Sequence, residues 1–109
     1  MLVWWATIVE CEGALSRMVR AGELSQAAVP AARVALAQLG WKEVAPSSEV
    51  RDLALVLLRR HPLKTGDAFQ LAGALSGYAG SPLGRPFVTL DRRLAKAAAG
   101  EGFTVIPQL

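Results

Sequence analysis

A chain of 109 residues, 52% of them apolar, has the length of one domain and enough Leu, Ala and Val to build a core, which excludes intrinsic disorder. No apolar run approaches the roughly eighteen residues of a membrane span, and the opening residues lack a basic region and carry Glu10 and Glu12, so neither a transmembrane segment nor a signal peptide is expected. The net charge of +3 permits an anionic partner such as nucleic acid without demanding one, because the pairs Arg17 and Arg20, Arg59 and Arg60, Arg92 and Arg93 never form a basic tail.

Residues 2–5 are a short apolar run that reads as a strand. Thr7 and Glu10 then fit a capping box, in which the two side chains satisfy free N–H groups at a helix start. Ile8, Cys11, Leu15 and Met18 follow at helical spacing as a core-facing stripe, and the helix stops near Gly22. Cys11 is the only cysteine, so no internal disulfide can form; it is expected to fill core, in a protein of the reducing cytoplasm. Ser25 caps a second helix reaching Leu39, with Pro30 disturbing its early part, and residues 41–45 fit a strand or a connector. Ser47 or Ser48 caps a third helix over 49–60, ended by His61-Pro62 because the residue before proline avoids the helical region.

A fourth helix starts near Thr65 and is apolar almost all round, so it should be buried on more than one side. Beyond a loop rich in Gly, Ser and Pro over 77–86, residues 87–90 read as a strand, 92–99 as a helix and 103–106 as a strand. Such a βαβ unit implies parallel strands and, with the helices before it, an α/β fold whose parallel sheet is covered on both faces.

Three carboxylates stand in apolar surroundings, and each has a structural explanation. Glu10 completes the capping box, Asp67 lies in a first helical turn where negative charge is favoured, and Asp91 directly follows a strand as a natural N-cap. Their placement also suggests chemistry. Asp91 and Glu10 both follow the carboxyl ends of predicted strands, the edge where parallel sheets bind ligands, and Asp67 can point into the same cleft. Converging carboxylates repel, and a hard divalent cation, Mg²⁺ or Mn²⁺, relieves the repulsion. Zinc is disfavoured, since Cys11 and His61 stand alone without ligand spacing, and His61 beside Pro62 reads as a helix-end cap. No Gly-rich phosphate loop is present, which counts against a small-molecule α/β domain.

Three segments carry a family resemblance: Trp4-Trp5-Ala6-Thr7-Ile8-Val9-Glu10-Cys11, the run from Gly66-Asp67-Ala68-Phe69 to Leu75, and Phe87-Val88-Thr89-Leu90-Asp91-Arg92-Arg93-Leu94. In that order and at about that spacing they resemble successive segments of PIN-domain proteins, especially the VapC toxins, and residues 100–106 resemble the family's last turn and strand. The resemblance implies a three-layer α/β/α PIN-like domain over 1–109. Family members open with a strand ending in Asp and then a helix; here residue 1 already stands at the second strand, so the expected domain lacks that first strand and helix.

The function implied is a Mg²⁺- or Mn²⁺-dependent endoribonuclease of a toxin–antitoxin system, with Glu10, Asp67 and Asp91 as catalytic metal ligands and Thr89 as a helper. RNA is the implied substrate, a cognate antitoxin the implied protein partner, and self-association is expected because a missing strand leaves apolar surface uncovered. The rival reading is a catalytically inactive PIN-like remnant that binds protein or RNA. No base-reading motif or aromatic platform is visible in the sequence.

Overall fold

The computed structural model describes residues 1–108. Its first strand, β1 (Leu2–Trp4), pairs in parallel with β2 (Lys42–Val44), Val3 standing opposite Glu43. Between them the chain makes α1 (Thr7–Arg20), a 3₁₀ turn (Gln26–Ala28) and α2 (Val29–Ala37). Two helices follow, α3 (Ser48–Arg60) and α4 (Thr65–Gly77), and then the predicted βαβ unit: β3 (Pro86–Val88), α5 (Arg92–Glu101) and β4 (Thr104–Ile106). β3 and β4 are parallel, as the unit requires, with Phe87 opposite Val105. The chain is thus mixed α/β, but its strands form two separate two-stranded sheets rather than the one continuous sheet expected.

Helix ends follow their local chemistry at most places. The Ser47 hydroxyl accepts a hydrogen bond from the Val50 N–H (3.1 Å) and starts α3; His61, extended before Pro62, closes it. Ser25 caps only the short 3₁₀ turn, and Pro30 falls in the first turn of α2, where its missing N–H costs nothing. Gly102 ends α5 with φ +108°, a conformation that favours glycine.

One predicted cap does not form. α1 begins behind Ala6, whose own backbone is helical, so Thr7 is already inside the helix; the Glu10 side chain turns away to Gln70 instead of back to the helix start.

The core lies around α4. Leu57, Leu71 and Val50 are fully buried, and Trp4, Phe87, Leu94 and Phe103 join them in one cluster drawn from both sheets and from α3, α4 and α5. Two glycines let the first sheet settle on α4. A Cβ on Gly73 would stand 3.1 Å from Trp4, and one on Gly77 would stand 3.0 Å from Val44 and 3.1 Å from Leu2. Trp4 then stacks on Phe69 of α4, the ring centroids 5.3 Å apart and the planes within 7°.

The segment between β1 and β2 packs differently. Among the described residues, α1 buries none of its own and touches other elements only sparsely, and α2 buries only Val29. Ile8 and Met18 are 48% and 37% exposed, and Cys11 is only half-buried, so the predicted stripe does not face a core. A charge pair between Glu12 and Arg33 ties α1 to α2. The result is an elongated body, 41 × 24 × 24 Å, with a radius of gyration of 14.6 Å, against about 13 Å for a compact chain of this length. Among the described residues no helix is long and apolar enough to cross a membrane.

Candidate functional site

Glu10 comes from the first turn of α1, Asp67 from the first turn of α4 and Asp91 from the N-cap of α5. Each therefore sits where a helix begins, and the rigid helix start fixes its position.

Asp91 does serve as the N-cap: its Oδ1 accepts from the Leu94 N–H at 2.9 Å. Its own N–H donates to Thr89 Oγ1 at 3.1 Å, so Thr89 orients the turn that carries Asp91. Asp67 is different. α4 has no side-chain cap, and Asp67 occupies its first turn without closing it. Glu10, freed from the capping box, accepts a 2.6 Å hydrogen bond from Gln70 Nε2 on α4, which ties α1 to α4 beside Asp67.

Asp67 feels the charge of Asp91, and Glu10 feels that of Asp67. Partial burial is the main reason that the Asp67 carboxyl is held above the usual carboxylate range; the charge of Asp91 adds to it and Lys64 opposes it. Glu10 is pushed up as well, first by burial and then by Asp67, with the Gln70 hydrogen bond pulling the other way. Asp67 is the middle member, affected by Asp91 and affecting Glu10. The Cys11 thiol, next to Glu10, is raised by burial and by that same negative charge, which makes it a poor nucleophile.

The donor set is oxygen only, the chemistry of a hard cation. Among the described residues no three His, Cys, Asp or Glu side chains stand close enough to wrap one ion. A dry three-carboxylate cage is therefore not formed. Magnesium does not need one, since it keeps several waters and takes one or two carboxylates directly. His61 plays the structural part expected of it: its backbone N–H bonds Leu57 O at 2.9 Å, and its ring stands 2.7 Å from Glu101.

Sequence reasoning missed the neighbouring groove. A cavity of about 820 Å³ opens beside Glu10, walled by Trp4, Trp5, Phe69 and Pro46 and rimmed by Ser48 and Arg51. The available signal was the Trp4-Trp5 pair on a strand end, where alternation sends one indole inward and the next outward. Trp4 is buried at 9% exposure and Trp5 is open at 54%.

Compared with protein-family models, curated proteins and solved structures, the chain has no significant match.

Proposed function

We propose that this chain is a PIN-like, Mg²⁺- or Mn²⁺-dependent endoribonuclease of the toxin–antitoxin type. The observation that carries the reading is the electrostatic linkage of three carboxylates from three separate helix starts, with Asp67 and Glu10 raised by burial and by their acidic neighbours. Acidic side chains whose pKa values are raised partly by one another are candidates for a site that handles a cation or a proton. The segment resemblance and the parallel β3–α5–β4 unit support the same assignment.

Asp67 and Asp91 would hold the cation, Thr89 fixing Asp91 through its backbone N–H. When bound, the ion supplies positive charge to the scissile phosphodiester and activates water at neutral pH. Glu10 is anchored through Oε2 by Gln70, which leaves Oε1 to accept the proton of the attacking water. Its raised pKa suits that task better than an ordinary carboxylate would. The same reading expects a cytoplasmic protein, a cognate antitoxin that covers the acidic cleft, and self-association through the uncovered face of α1.

The test is incubation of a single-stranded RNA with the purified chain in EDTA and then in Mg²⁺ or Mn²⁺. Cleavage should appear only with metal and should vanish in Asp67→Asn. Cleavage that survives EDTA, or none under any condition, contradicts the nuclease reading. The second reading, an inactive PIN-like module that binds RNA or protein, is favoured by the lack of a three-ligand cage among the described residues. Metal-independent binding of RNA without cleavage is its signature.

A further inference from the structure

We infer that the groove beside Glu10 is a stacking platform for an unpaired nucleobase, formed by the exposed Trp5 in a groove walled also by Trp4 and Phe69, with Arg51 at the rim to meet the adjoining phosphate. This rests on the RNA reading above and adds the subsite that reading lacks.

The groove is continuous with the acidic site, because Glu10 belongs to both. Its volume of about 820 Å³ lies inside the range of pockets that take small organic ligands, roughly 300–1,000 Å³. Its wall is aromatic: Trp5 is 54% exposed and free to stack, while the buried Trp4 is held face to face with Phe69 beside it. Flat rings stack on such surfaces whatever their hydrogen-bonding edge, which is how single strands are held without sequence reading.

The charge at the rim fits a nucleotide better than an apolar peptide. The Arg51 side chain is 66% exposed, and among the described residues its only ion-pair partner is its neighbour Asp52 at 3.6 Å, a weak surface contact that a phosphate can replace. An apolar peptide would gain from the indole wall but nothing from Arg51.

The experiment uses two labelled single-stranded oligonucleotides of equal length, an oligoadenylate and its abasic counterpart, titrated by fluorescence anisotropy in EDTA so that metal-dependent cleavage cannot run. Wild type should bind the oligoadenylate about tenfold or more tighter than the abasic strand, the difference expected for one stacked base. Trp5→Leu should erase that ratio and Trp5→Phe should retain most of it. Melts followed by circular dichroism check that both variants fold, as the exposure of Trp5 leads one to expect.

Arg51→Gln should weaken both strands and lower the salt slope of log K by about 0.7. The platform is overturned if the ratio is unchanged in Trp5→Leu, if neither strand binds, or if wild type binds both equally. An apolar peptide as true occupant would give the first of these. Separate Mn²⁺ cleavage assays keep the two readings apart. Cleavage with an unchanged ratio removes only the platform, and a Trp5-dependent ratio without cleavage removes only the nuclease.

Discussion

The region around α4 and the excursion through α1 and α2 have similar apolar content and opposite fates. α4 buries Ala68, Leu71, Ala72, Gly73 and Leu75, enclosed by α3, α5 and both sheets. α1 carries a one-sided apolar stripe, and none of its residues reaches full burial. The difference lies in what is available to pack against. Gly73 and Gly77 allow Trp4, Leu2 and Val44 to approach the α4 backbone, whereas nothing among the described residues closes over Ile8 or Met18. An amphipathic pattern specifies a face and leaves its partner unspecified.

Paired truncations should show the contrast most strongly. Leu71→Ala leaves a cavity at a site of 0% exposure and should cost about 2–5 kcal/mol, read from chemical denaturation. Val34→Ala on α2, where the side chain is 56% exposed, should stay within about 0.5 kcal/mol. Comparable losses at the two positions would mean that the excursion is covered in solution. Sedimentation would then show a dimer or larger assembly, and the melting temperature would depend on protein concentration.

A smaller effect is expected at Gly73. Alanine there gains up to about 1 kcal/mol of helix propensity. It also forces Trp4 away from a 3.1 Å contact, and overpacking costs about 1–3 kcal/mol. Because the neighbour is a buried indole stacked on Phe69, overpacking should win, leaving a net loss near 1 kcal/mol. A more stable Gly73→Ala would mean that the first sheet sits loosely on α4.

Many of the boundaries were legible in the sequence because they are local. Ser47, His61-Pro62, Asp91 and Gly102 each start or stop a helix by a mechanism confined to a few residues. The parallel β3–α5–β4 unit was legible for the same reason. The capping box at Thr7 failed because a tertiary partner, Gln70, sixty positions away in sequence, claims the Glu10 carboxylate. The division of the strands into two pairs, and the groove at Trp5, also depend on distant segments meeting and left no local mark. Of the candidate site, the acid positions were legible as carboxylates at strand and helix junctions; their mutual influence through Asp67 was not.

The smallest expected effect concerns acid. Asp67 and Glu10 have folded pKa values above their ordinary ones, so the native state keeps their protons longer than the unfolded chain does. Their contribution to stability is present below about pH 4 and is lost as pH rises through the raised values. Asp67→Asn should therefore flatten the melting temperature against pH on the near-neutral side of that window and leave the apo protein slightly more stable at pH 7. Solvent screening of a mostly hydrated group keeps the gain small. A variant less stable than wild type at neutral pH would mean that Asp67 serves only the start of α4.

Metal linkage tests the central claim most directly: thermal melts of wild type and Asp67→Asn, each with and without Mn²⁺. With Mn²⁺ a hundredfold above its dissociation constant, wild type should gain about 2.7 kcal/mol, a rise of roughly 10 °C for a domain of this length. The rise should be lost in Asp67→Asn. An equal rise in both proteins, or none in wild type, would contradict a cation held by Asp67.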